Sequence, residues 1–202
     1  YVYLTKDGGA SWKNITPAGL AECLINSIEV SPHDKATVYI ATTRYKFDDH
    51  APNLFKSTDY GNTWTKINTG IAPNAFTRVI REDNVVKDLL FAGTELGVYI
   101  FKNGGKAFAA IGTASTSGRS FWILDDLNLI RQFKTDSVNV NLYQPASTMI
   151  STGYSFSELD YNSNEFKGAK SSGGVNPATG LVVYYQLPTV ADSVDLKLDI
   201  KD

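Results

Sequence analysis

The chain has 202 residues, 43% of them hydrophobic and 12% aromatic, and sets 19 Lys and Arg against 21 Asp and Glu for a formal net charge of −2. So balanced a charge gives no electrostatic basis for binding nucleic acid or an anionic membrane, and no apolar run approaches a membrane span. The single cysteine, Cys23, excludes an internal disulfide and leaves the redox compartment undecided.

In chain order, short runs rich in Val, Ile, Thr and aromatic residues alternate with Gly-containing turns, and no long amphipathic helical stretch appears. Tyr1 begins inside the first run, so the lack of a signal peptide carries no information; one Asn-Ile-Thr sequon, at Asn14, is what chance gives in a chain of this length. Strands are expected at residues 1–5 and 11–15, at 25–31, 38–42, 53–57 and 63–67, and at 77–82, 90–94, 98–102 and 107–111. The octet at residues 5–12, TKDGGASW, returns at 57–64 as STDYGNTW, fifty-two residues on, and both fit hydroxyl-x-Asp-x-Gly-x-hydroxyl-Trp. The strand at 38–42 aligns with that at 90–94 at the same offset. Four antiparallel strands per repeat of this length predict an all-β fold built of β-propeller blades.

The octet is chemically a tight turn. Asp7 and Asp59 can accept N–H bonds from the residues that follow, and Gly9 and Gly61 can take the positive φ such a turn demands. The hydroxyls of Ser11 and Thr63 can bond the turn from its far side. Trp12 and Trp64 are expected to anchor it in the sheet layers, at a cost of roughly 3–5 kcal/mol if truncated to Ala. A degraded third copy, with Asn for Asp and Phe for Trp, lies at residues 101–108.

Two departures from the repeat stand out. Asp59 to Asn103 spans forty-four residues, eight fewer than the first spacing, which makes residues 43–51 an inserted loop between second and third strands. Residues 121–123 follow their repeat equivalents at 98–100 by only twenty-three, so two strands are missing around 112–117, read as a join across absent residues. About two complete blades with partial blades on either side are expected. A closed ring needs at least about four, so its remainder is expected from residues outside this sequence or from a partner chain. Beyond the blades (1–133), residues 134–175 turn polar and Ser- and Asn-rich, as a connection does. Residues 176–202 are expected to start a β-sandwich, with strands at 180–187 and 193–201, since 194–200 strictly alternates apolar and charged positions.

The two octets, together with AFTRVIRED at 75–83, LFAGTE at 90–95 and GRSFWILDD at 118–126, resemble the Asp-boxes, or bacterial neuraminidase repeats, of β-propellers. The likeness is to sialidases, xyloglucan-cleaving glycosidases and above all the sortilin-like propellers of exported bacterial proteins, often termed glycosyl hydrolases on repeat content. It covers about the first two-thirds of the chain and resumes at 176–202. The resemblance implies a propeller, seven-bladed when complete, followed by an immunoglobulin-like sandwich in an extracytoplasmic protein (secreted, periplasmic or cell-surface). It also implies that Asp7, Gly9, Ser11, Trp12, Asp59, Gly61, Thr63 and Trp64 form structural turns on the side of the propeller away from the ligand face.

Candidate chemistry therefore falls on the inserted loop, which should open on the face opposite the boxes. It offers Arg44, Tyr45, Lys46, Asp48, Asp49 and His50, either as a polar rim for a glycan, peptide or protein ligand or as a solvated loop of mutual salt bridges. Asp48, Asp49 and His50 are consecutive with no distant partner, which matches no usual metal spacing; no metal or cofactor is expected. Glycoside cleavage needs two carboxyls flanking one bond. Asp125 and Asp126, as strand neighbours, would point to opposite faces and instead end a strand and cap a turn into residues 127–133. A sialidase needs three converging arginines. Of Arg44, Arg78, Arg81, Arg119 and Arg131, Arg78 is expected to pair with Glu82 or Glu95 between blades. The only histidines, His33 and His50, sit in no nucleophile-activating pattern. The expected function is a non-catalytic propeller module for binding or scaffolding in an exported or cell-surface bacterial protein. The alternatives are an Asp-box glycoside hydrolase, sialidase-like or xyloglucanase-like, and an assembly subunit completed by a partner chain.

Overall fold

Alternating apolar residues between tight turns fold here as antiparallel up-and-down sheets. The computed structural model describes residues 1–102, 107–112, 127–133, 140–147 and 181–188, and the chain divides into two units, Tyr1–Phe121 and Trp122–Asp202. In the first unit, β1 (Tyr3–Leu4) and β2 (Lys13–Asn14) form a hairpin. Strands β3 (Leu24–Val30), β4 (Val38–Arg44), β5 (Asp49–Ser57) and β6 (Thr65–Lys66) make one four-stranded sheet in chain order. Strands β7 (Thr77–Glu82), β8 (Leu90–Thr94), β9 (Val98–Phe101) and β10 (Ala109–Gly112) make a second. The β1–β2 hairpin carries the first octet as β5–β6 carries the second, so it supplies the outer strands of a third blade. The chain is thus all-β, and its first unit is a partial propeller.

The repeat extends to irregularities of register. A β-bulge between Ile25 and Ser27 in β3 recurs between Thr77 and Val79 in β7, again fifty-two residues on. A bulge adds twist and re-aims a side chain. Here the bulged strands meet across the blade boundary: β3 and β4 pack on β7, and the Ser27 hydroxyl donates to the Ile80 carbonyl at 3.5 Å. The core lies at this boundary. Tyr39, Ala41 and Leu54 of the first sheet pack with Ile80, Leu90, Ala92 and Tyr99 of the second, with Ile71 and Ala75 filling in from the connection and Phe108 from just before β10. Strand β4 is buried on both faces, which is why it reads VYIATT with no exposed polar alternation.

Both octets form the same closed turn. Asp7 Oδ1 accepts from the Ser11 N–H at 2.9 Å and Oδ2 from its hydroxyl at 2.5 Å, while the Thr5 hydroxyl donates to Oδ1 at 2.8 Å. Asp59 repeats this with Thr63 at 2.9 and 2.6 Å and with Ser57 at 2.8 Å. The leading hydroxyl, Thr5 or Ser57, also accepts the N–H of Gly9 or Gly61. These glycines sit at φ 101° and 78°, and a Cβ on Gly61 would lie 2.6 Å from that of Ile15, so close approach demands glycine as much as conformation does. Successive turns also touch: the Lys6 ammonium sits 3.5 Å above the Tyr60 ring, and the Trp64 indole N–H donates to the Ile15 carbonyl at 2.8 Å.

Trp12 departs from its expected role. It is 62% exposed, with its indole N–H on the Gly9 carbonyl of its own turn at 3.1 Å. Trp64 is half-buried because the β1–β2 hairpin lies against it. The remaining expectations shift at the edges: β5 starts at Asp49 rather than 53, and the outermost strands β2 and β6 pair over two residues each. The third octet's turn (103–106), the join near 112–117, Asp125, Asp126 and the sandwich strand at 193–201 lie outside the described residues.

The second unit, described by itself, contains a six-residue helix α1 (Leu127–Gln132) where a capped turn was expected. It also pairs β11 (Asn141–Leu142) with β12 (Tyr185–Gln186) antiparallel. Strand β12 falls in the expected sandwich segment and β11 in the expected connection. The Gln132 amide exchanges two hydrogen bonds with the Gln144 backbone, at 2.9 and 3.0 Å, as a neighbouring strand would. The Tyr143 hydroxyl donates to Gln186 at 2.6 Å. Among the described residues no helix is long and apolar enough to cross a membrane.

Candidate functional site at the tip of the β4–β5 hairpin

Antiparallel connectivity sorts the first unit's turns onto two ends. The octets share an end with the β3–β4 and β7–β8 turns: the Tyr60 N–H donates to the Ala36 carbonyl at 2.9 Å, and His33 Nε2 bonds the Asp83 carbonyl at 2.8 Å. His33 thus ties neighbouring blades together. The β4–β5 and β8–β9 connections lie at the other end.

The expected inserted loop is an extension of the sheet. Arg44 and Asp49 remain in register as a strand pair beyond a bulge, and Tyr45–Phe47 forms one 3-10 turn. Asp48 closes it at φ 57°, its N–H donating to the Tyr45 carbonyl at 3.2 Å. Asp tolerates this left-handed conformation better than most residues. Arg44 Nε lies 3.5 Å from Asp49 Oδ2, an ion pair without hydrogen-bond geometry, and its guanidinium lies 5.4 Å from the Phe47 ring centre. His50 Nδ1 is 4.0 Å from Asp48 Oδ1. Exposed pairs like these contribute at most about 1 kcal/mol. Phe47 is 50% exposed at the apex.

Three residues outside the loop complete the cluster. Phe76, immediately before β7, is buried beneath Tyr45, the rings stacked at 5.5 Å and 18°, with His50 tilted against it at 5.7 Å. Arg78 caps both rings, its guanidinium 4.7 Å from the Phe76 centroid and 5.1 Å from that of Tyr45. Glu95, at the β8–β9 connection, holds Arg78 through Nε and Nη2 at 3.2 and 3.1 Å. Stacking is worth about 0.5–1.5 kcal/mol and each cation–π contact about 0.5–1, enough to fix the tip on the second blade. The expected Arg78–Glu95 pair is therefore real but lies within one blade, because β7 and β8 are neighbours. The ion pairs between the two blades are made instead by Arg81, which donates to Ser27 Oγ at 2.8 Å and to Glu29 Oε2 at 3.1 Å, and by Lys56, which donates to Asp88 Oδ1 at 2.8 Å.

Of the expected rim residues, Arg44, Tyr45, Asp48, Asp49 and His50 all take part in this cluster, and Lys46 stands exposed beside it. Phe76 escaped the sequence reading of the site. The signal was available: antiparallel strand order places the residue before β7 at the same end as the β4–β5 tip. Positive groups (Arg44, Lys46, Arg78) and negative ones (Asp48, Asp49, Glu95) balance here, so the surface is amphipathic rather than strongly charged. Asp7, Asp34 and Asp59 are held below the ordinary carboxylate pKa. The causes are the Ser11 hydroxyl, the Ala36 N–H and the Thr63 hydroxyl respectively, the reverse of what a general acid needs.

The strand topology defines a propeller-type, all-β module with an ordered aromatic and charged tip on one end. No family model and no curated protein matches the chain. A solved structure described as YCF48 bound to D1 peptide aligns with 55% of this chain and 36% of its own, at 22% identity and a TM-score of 0.39. The chain thus spans about a third of that protein's length, and the fold assignment rests on its own sheets.

Proposed function

We propose that the chain is a non-catalytic binding module of the Asp-box propeller type, working outside the cytoplasm, whose ligand surface is the β4–β5 tip and whose ligand is a protein or peptide. The observation that carries this is Phe47, half-exposed at the apex of a tip locked by the Tyr45, Phe76 and Arg78 stack. A rigid aromatic anchor ringed by Lys46, Asp48 and His50 has the composition of an interface hot spot with a polar rim. Little ordering entropy is left for binding to remove, since the tip is already held. The identical closure of both octets, at the opposite end, supports the Asp-box reading.

Panning a displayed random-peptide library against the protein, alongside a glycan array, tests this. Peptides are expected that bind the wild type and lose about tenfold or more in affinity to Phe47→Ala. Ligands found only on the glycan array, or peptides indifferent to Phe47 and Tyr45, would overturn it.

A further inference from the structure

Arginine carries its N–H donors in a planar fork, and the described arginines of the first unit use theirs unequally. Arg78 donates through Nε and Nη2 to Glu95, and Arg81 donates to Ser27, Glu29 and the Ile80 carbonyl. Arg44 donates no hydrogen bond among the described residues: its Nε is buried without a partner, and Asp49 beside it lacks the geometry. Asp49 is committed elsewhere, its Oδ1 accepting from the Ala51 N–H at 3.1 Å. The Arg44 guanidinium is nonetheless held in place, 5.4 Å from the centre of the exposed Phe47 ring and at the root of the tip that Phe76 and Arg78 lock. Its side chain is 30% exposed. A positioned cation with unspent donors therefore stands beside the apolar apex. Lys46 is exposed nearby and makes no ion pair among the described residues, while Asp48 is fully exposed and faces His50.

We infer that Arg44 is the specificity-determining residue of the tip and selects a peptide with a single Asp or Glu side chain beside an apolar one. This rests on the tip being a peptide-binding surface. The ligand's carboxylate accepts from the Arg44 guanidinium, and the neighbouring apolar side chain covers Phe47. Pairing of arginine with a carboxylate is charge-assisted, commonly two-pronged, and roughly twice as strong as a neutral hydrogen bond. The guanidinium is also weakly hydrated, so covering it costs less than covering an ammonium. The surrounding charges limit the ligand to one acid rather than an acidic tract. Asp48 and Asp49 alternate with Arg44 and Lys46 around the tip, and a run of carboxylates laid there meets like charges that repel it.

Two displayed random-peptide libraries, identical except that one lacks Asp and Glu, are the probes, panned against the 202-residue protein. Peptides that need Phe47 are then synthesised with both ends blocked, labelled with fluorescein and titrated by anisotropy. They are expected from the acid-containing library, with one Asp or Glu beside an apolar residue. Changing that acid to its amide should weaken binding about tenfold or more, as should Arg44→Gln. Arg44→Lys, which keeps the charge without the fork, should fall between. The two losses should not add: Arg44→Gln should bind the acidic and amide peptides alike. The change in the peptide leaves the protein's fold untouched. Phe47-dependent peptides drawn equally from the acid-free library, or losses that add, would overturn the inference while leaving the tip a peptide site. No Phe47-dependent peptide from either library would overturn the peptide reading and the inference with it. Binding confined to carboxylate-bearing sugars would do the same.

Discussion

Thr77 stands at the junction of three strands and provides the sharpest test of how the blades are joined. Its side chain is fully buried. Its hydroxyl oxygen accepts from the Asn53 N–H at 3.1 Å and lies 3.0 Å from the Thr42 carbonyl and 3.1 Å from that of Asn53, donating its one proton between them. Thr42 and Asn53 are the last regular pair of β4 and β5 before the bulge that leads to the tip, so one hydroxyl from the second blade satisfies the backbone where the first blade's ladder breaks. Thr77→Val keeps the volume and removes that hydroxyl, leaving a buried N–H and a carbonyl without it, at about 1–3 kcal/mol per unsatisfied group. Offset by the added apolar burial, the net loss should be about 2–4 kcal/mol. At a urea slope of about 2 kcal/mol/M, mid-range for a small protein, the midpoint should fall by about 1–2 M. Thr77→Ser, which keeps the hydroxyl and loses one methyl, should cost about 1 kcal/mol. Equilibrium urea unfolding followed by tryptophan fluorescence measures both. A wild-type midpoint for Thr77→Val, or an equal loss for Thr77→Ser, would refute the bridge.

The turn carboxylates should make stability acid-sensitive. Asp7 and Asp59 are held at about 2, against 3.8 ordinarily, first by the Ser11 and Thr63 hydroxyls and then by the N–H groups of the same residues. Their folded-state values lie below the unfolded ones, so their contribution is complete above the ordinary carboxylate pKa and disappears as pH falls toward 2. The gap in urea midpoint between wild type and Asp59→Asn should therefore shrink from about pH 5 to about pH 2; a constant gap would count against it. The tryptophans should separate: Trp64→Ala, which loses a half-buried ring and its bond to Ile15, should cost about 2–3 kcal/mol, and Trp12→Ala less than about 1. Equal shifts in the denaturation midpoint would show that Trp12 is anchored after all.

What was legible in the residues was whatever is settled within a few positions. The octet closes on itself through one carboxylate, two hydroxyls and a glycine at positive φ, so its turn could be read from eight letters, and strand placement followed from the alternation on either side. The offset of fifty-two carried one blade's strand assignments to the next and marked residues 43–51 as extra. Whether that extra segment was loose or ordered was not written there. It is ordered because Phe76 and Arg78, more than twenty-five residues away, both pack against Tyr45 and against each other.

The same limit explains Trp12 and Trp64, and Ile28 and Ile80. Each pair matches in sequence and local structure, yet one member is more exposed than the other (Trp12 against half-buried Trp64, Ile28 against fully buried Ile80), because burial depends on which element lies across the blade boundary. Thr77 is the extreme case: one threonine in an ordinary strand pattern becomes the backbone partner of another sheet. The sequence by itself determined the turns, the strands and their period, since these depend on neighbours along the chain. Only the tertiary structure decided which faces are covered and where the tip is fixed, because those depend on contacts between segments that no local pattern encodes.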